Sequence, residues 1–101
     1  AKAAEWYEKA AAQDHVDAQF ALGWLYYYGQ GVRQDYAKAA KWYEKAAAQD
    51  NAGAQFILGK MYDSGKGVRQ NLATATEWFG KACDSGLQIG CDAYRDLNTK
   101  Q

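Results

Sequence analysis

The sequence predicts an all-α fold of repeated helix pairs, 36 residues to the repeat. Three observations carry that expectation. There is no proline in 101 residues, alanine is abundant, and no stretch alternates steadily between apolar and polar, so helix is favoured over strand. The chain repeats itself: residues 1–14 read AKAAEWYEKAAAQD and residues 37–50 read AKAAKWYEKAAAQD. Residues 1–36 and 37–72 agree at 24 of 36 positions, and a decayed third copy follows, with ATEWFGKACDSG (75–86) overlaying AAKWYEKAAAQD. Self-similarity at a fixed period of this length marks a stacked repeat array.

Each element follows in order. Residues 1–15 are expected to form a helix equivalent to the second helix of a pair. A first helix is expected from about Val16 to Tyr28, with Ala18, Leu22, Leu25 and Tyr26 at helical spacing. Gly29 stops it. Gly29–Gly31 and Gly65–Gly67 then make tight turns, since glycine reaches positive φ without steric penalty. The second helix opens at Asp35, replaced by Asn71 one period on; both are good N-caps. It runs through Ala39, Trp42, Tyr43, Ala46 and Ala47, a stripe of small residues beside large rings. Full repeats are thus expected at 16–51 and 52–86 of a single repeat domain, with a closing helix within 87–101, at about Leu87–Asn98. There Tyr94, Arg95 and Asn98 stand where Leu58, Gly59 and Tyr62 would, the polar replacement that a terminal cap requires. On this reading Gln101 lies near the natural end and Ala1 is cut from a longer array.

Composition narrows the class of function. Twelve basic residues balance twelve acidic ones, so the basic excess of a nucleic-acid binder is missing. No apolar run approaches the roughly 20 residues that span a bilayer. No cofactor is expected.

These residues carry a resemblance. The pattern A-x-x-x-L-G-x-x-Y-x-x-G-x-G-V occurs at Ala18, Leu22, Gly23, Tyr26, Gly29, Gly31 and Val32, and again at Ala54, Leu58, Gly59, Tyr62, Gly65, Gly67 and Val68. Followed by D-Y-x-K-A-x-x-W-Y-x-K-A-A, it resembles the Sel-one-like repeat (SLR), a cousin of the tetratricopeptide repeat. Arg33 and Arg69 depart from the pattern, which often has proline after the valine. The resemblance implies a right-handed α/α solenoid of stacked antiparallel helix pairs, the first helix of each pair lining a concave face. It also implies an adaptor for other proteins, as family members, many of them bacterial, typically are.

Cys83 and Cys91 flank the turn DSGLQIG. Their spacing resembles the bridged pair of the cysteine-rich Helicobacter members of the family, and a helix-to-helix turn of this length could bring the two Cα atoms within bridging range. A bridge implies a periplasmic or secreted setting. Two buried free thiols, and a cytoplasmic setting, are the alternative. No second ligand pair makes them a metal site.

Catalysis is not expected. His15 falls in a turn where the next copy has Asn51, and no motif sets an acid and a nucleophile around it. The cysteine-rich relatives imply a penicillin-binding or β-lactamase-like alternative. The established serine enzymes of that kind use S-x-x-K; Ser64 is followed by GKG and Ser85 by GLQ.

The repeat supplies its own control for the aromatic residues. Phe20 matches Phe56, Tyr26 matches Tyr62, and Trp6, Trp42 and Trp78 form a matched set; these read as structural. Trp24 aligns with Lys60, Tyr27 with Asp63 and Tyr28 with Ser64. A position that accepts a charge in the next copy is not deep core, because burying an unpaired charge is costly. Trp24, Tyr27 and Tyr28 are therefore expected on the surface, with Phe20 one turn earlier. Lys60 and Asp63 would continue that face, flanked by Gln19 and Gln55. Rings beside a polar strip are how protein-binding hot spots look. The expected partner is a protein or peptide segment, with self-association through the same rings as the rival.

Overall fold

The computed structural model describes residues 2–100, and the side chains of residues 4–99. Ala1 and Gln101, the subject of the two expectations about chain ends, lie outside the described residues. Among the described residues six helices follow one another: α1 (Lys2–Ala12), α2 (Val16–Tyr28), α3 (Tyr36–Ala48), α4 (Ala52–Ser64), α5 (Leu72–Asp84) and α6 (Gln88–Lys100). There is no strand among the described residues. Each helix packs mainly on its chain neighbours, which draws the molecule out to 44 × 24 × 16 Å. It is a solenoid of helix pairs.

Local chemistry sets the helix ends. Asp35, Asn51 and Asn71 each accept a hydrogen bond from the backbone N–H three residues on, at 3.1, 2.8 and 3.1 Å, so each N-terminus gains a partner for an orphan donor. His15 occupies the position of Asn51, is exposed and makes no such bond. Gly29 and Gly65 close α2 and α4 at φ 67° and 76°, left-handed values that glycine adopts freely. The shorter turns do the same at Asp14, Asp50 and Gly86, with φ of 64°, 65° and 96°. These three are one period apart. Only the third copy uses glycine.

The core is a column of small residues and rings. Ala39, Ala40, Tyr43, Ala46 and Ala47 of α3 pack with Ala54, Leu58 and Met61 of α4, all nearly solvent-free. Helix approach is closest at glycine. A Cβ on Gly23 would stand 2.8 Å from the Tyr43 ring, and one on Gly59 would stand 2.6 Å from the Phe79 ring. The L-G pair of the repeat therefore presses a bare backbone against the ring of the next helix. Tyr43 is fully buried, and its hydroxyl has no hydrogen-bond partner. Burial holds that phenol far above its ordinary range; the third copy has Phe79 at the same place.

Three expectations need correction. Gln19 and Gln55 do not flank a surface strip; each is 1% exposed. Gln19 donates to the Ala11 carbonyl at 3.2 Å and accepts from Gln49 at 2.7 Å. Gln55 donates to the Ala47 carbonyl at 3.2 Å and accepts from Ser85 at 3.0 Å. Both tie one helix pair to the next, and their polar heads are buried because the amide nitrogen and oxygen of each have a partner. The closing helix runs Gln88–Lys100, later at both ends than expected. The matched tryptophans also differ. Trp42 and Trp78 pack half-buried on the preceding helices, whereas Trp6 is 75% exposed.

Candidate partner-binding surface

The last two turns of α2 carry the rings that have no counterpart in the next copy. Trp24 and Tyr28 are exposed at 38% and 54%, and Tyr27 is half-buried. Trp24 meets Tyr28 one helical turn on, with ring centroids 4.7 Å apart. Tyr28 meets Tyr27 at 4.9 Å, and Tyr27 meets Tyr36 at 5.0 Å, both edge to face. Such offset and edge-on pairs are favourable ring geometries. The result is a continuous ladder of four rings.

Tyr36 joins from the first turn of α3, across the glycine turn. Asp35 N–H donates to the Tyr26 carbonyl at 2.9 Å. Gln34 Nε2 donates to the Tyr27 carbonyl at 2.9 Å and to the Tyr36 hydroxyl at 3.3 Å. The same brace recurs where Gln70 donates to the Asp63 carbonyl at 2.7 Å. Lys66 places its ammonium 5.5 Å from the Tyr36 ring centroid, within cation–π reach. Sequence comparison missed Tyr36. It aligns with Leu72, another unmatched ring, but an apolar replacement carries no warning of exposure.

Phe20 sits one turn before Trp24 but turns inward, edge-on to Tyr43 at 5.6 Å and against Gly53. Lys60 is exposed on α4, with its ammonium 5.8 Å from the Phe56 ring centroid; Asp63 is half-buried. Among the described residues, no hydrogen bond or ring contact joins Lys60 or Asp63 to the α2 ladder. On the other side of Trp24, a groove of about 420 Å³ is lined by Tyr7, Phe20, Ala21, Trp24 and Leu25. Tyr7, Ala21 and Leu25 were not among the binding residues expected from the sequence.

Away from this surface, Tyr26 donates to Glu8 at 2.9 Å and Tyr62 to Glu44 at 3.5 Å. These links repeat at the 36-residue period. Partial desolvation, and then the carboxylate, raise both phenols above their usual range. Cys83 of α5 and Cys91 of α6 are joined as a disulfide, with Cα atoms 4.4 Å apart. No group of acidic, histidine or cysteine side chains among the described residues could hold a metal ion, and no described helix is long and apolar enough to cross a membrane.

Stacked α/α pairs, a bare glycine under each ring and a period of 36 residues define an α-solenoid repeat protein. The family model for the Sel1 repeat matches residues 1–15, 16–51 and 52–87, and the chain belongs to the Sel1 repeat family. A Sel1 repeat protein from Oxalobacter formigenes superposes with a TM-score of 0.88 at 35% identity, covering 90% of this chain and 37% of that one. The antigen c5321 of uropathogenic Escherichia coli, which displays an SLR fold, gives 0.83 at 42% identity, covering 85% and 18%. Cysteine-rich protein B of Helicobacter pylori gives 0.85 at 32% identity, covering 89% and 68%. The chain thus spans well under half the length of the first two. Comparison with curated proteins returned no match. Sel1-repeat proteins are in general scaffolds for protein–protein interaction.

Proposed function

We propose that this chain is a non-catalytic adaptor module that grips a peptide or protein segment on the face formed by its first-of-pair helices. The ring ladder Trp24–Tyr28–Tyr27–Tyr36 carries the reading. Its α2 rings occupy positions that hold Lys60, Asp63 and Ser64 in the next copy, so the stacking of the solenoid does not demand them. Rigid rings with polar tips supply contact area at a low entropic cost, and the inner face is where solenoids present extended binding surfaces. Phe20, Lys60 and Asp63 would border the bound segment. Repeat-matched residues shape the array, and unmatched ones choose the partner. The Cys83–Cys91 bridge supports a periplasmic or secreted setting.

The test is capture from cell extract by the wild type and by Trp24→Ala/Tyr27→Ala, after circular dichroism shows that both fold alike. The expected outcome is loss of one specific partner in the folded variant. Unchanged capture removes the rings from the binding surface. Turnover of nitrocefin by the purified chain would instead revive the β-lactamase-like alternative.

A further inference from the structure

The repeat also supplies a control for charge. A groove of about 320 Å³, sharing no residue with the ring ladder, is lined by Glu8, Tyr26, Lys38, Lys41, Trp42 and Lys45. Its floor is aromatic, since Tyr26 and Trp42 lie half-buried against the Ala11, Ala18 and Leu22 cluster. Lys38, Lys41 and Lys45 share one face of α3, and all three are exposed. The Lys38 ammonium lies 5.4 Å from the Tyr26 ring centroid, and that of Lys45 4.9 Å from the Trp42 ring centroid. Among the described residues none of the three forms an ion pair. Glu8, the one acid lining the groove, accepts from the Tyr26 hydroxyl at 2.9 Å.

One period on, the corresponding positions hold Glu44, Tyr62, Thr74, Glu77, Trp78 and Lys81. The frame is kept: Tyr62 donates to Glu44, and the Lys81 ammonium is 4.6 Å from the Trp78 ring centroid. The charge is not kept, for three ammoniums and one carboxylate give way to one ammonium and two carboxylates. Lys41 stands where α1 has Glu5 and α5 has Glu77. It has Lys38 and Lys45 one turn away on either side, like charges that weaken a helix. Helices at this place stack equally with glutamate, so stacking does not ask for the lysine.

We propose that this groove is a second interaction surface, which binds a short acidic peptide segment. An apolar side chain of the segment lies on the Trp42 indole, and flanking carboxylates pair with Lys38, Lys41 and Lys45. Charge complementarity selects such a partner. From Lys38 to Lys45 the helix rises about 10 Å, the reach of roughly three residues of extended chain. A long polyanion such as a nucleic acid finds no continuation beyond it, because twelve acidic residues balance the twelve basic ones.

The probe is a synthetic peptide with one leucine between two runs of glutamate, titrated into the folded chain and followed by amide chemical shifts. Saturable binding is expected, with the shifts centred on Lys38, Lys41 and Trp42, and it should weaken as salt rises from about 50 to 300 mM. Lys38→Thr/Lys41→Glu should weaken it about tenfold or more. That variant carries the residues α5 has at Thr74 and Glu77, so the fold tolerates them, and circular dichroism checks that it does. Trp24→Ala/Tyr27→Ala should leave binding unmoved, which keeps this surface separate from the ring ladder. Absence of binding, wild-type affinity in the lysine variant, or equal binding of a peptide with glutamine for glutamate overturns the proposal. Retention on anionic lipid vesicles without binding of the peptide overturns it as well.

Discussion

Single residues in this fold are constrained by what the neighbouring helix presses against them. Tyr43 fills the space over Gly23 yet leaves its hydroxyl buried and unpaired. An unpaired buried hydroxyl costs more than it contributes. Tyr43→Phe is therefore expected to raise stability by about 1 kcal/mol, read from urea denaturation; a loss would show that the hydroxyl has a partner in solution. Glycines separate into two kinds by the same logic. Gly59→Ala would drive a Cβ to 2.6 Å from the Phe79 ring and should cost roughly 2 kcal/mol or more from overpacking. Gly86 has nothing within 4 Å of its missing Cβ and only a φ of 96° to lose, so Gly86→Ala should cost about 1 kcal/mol. Equal losses in the two melts would remove the ring contact as the cause.

Between elements, the turns and the bridges across them decide how each helix sits. Buried Gln19 and Gln55 bond to the last turn of the helix before them and to the turn of the next pair, so each joins three helices. At the C-terminal end, Ser85 bonds to Gln55 and the Cys83–Cys91 disulfide closes a separation of eight residues. A loop that short limits the unfolded chain modestly. Reduction is expected to lower stability by about 2–3 kcal/mol, with α6 losing amide-exchange protection first. If α6 keeps its protection after reduction, packing of Gly90 on Ala82 and Cys83, rather than the bridge, is what holds it.

Across the whole molecule, neighbour-only packing makes stability a sum of local interfaces. The largest core lies between α3 and α4, so their amides should exchange slowest and those of α1 soonest. Trp6 and Trp42 are the same residue in two copies, and only Trp42 packs against a preceding helix pair. Trp42→Ala should cost roughly 2–3 kcal/mol, while Trp6→Ala should stay within about 0.5 kcal/mol. Comparable losses in chemical denaturation would mean that α1 is covered in solution, as a bound helix or another chain would cover it.

The 36-residue period, the helix pairs, the caps at Asp35 and Asn71 and the exposure of Trp24 and Tyr28 were legible in the sequence. These depend on local spacing, or on comparing one copy with the next. The fate of Gln19 and Gln55 was not. A glutamine reads as surface until the groups that satisfy it are in place, and those lie eight and thirty residues away. Asp14 and Asp50 hid their left-handed turns for a similar reason, since only the third copy writes that position as glycine. Tyr36 entered the ring ladder because the glycine turn folds α3 back beside α2. By itself the sequence determined which residues repeat and therefore stack. Only the tertiary structure decided how deeply Tyr43, Phe79 and the two glutamines are buried, because burial depends on which helix lies against a residue and not on the residue's own chemistry.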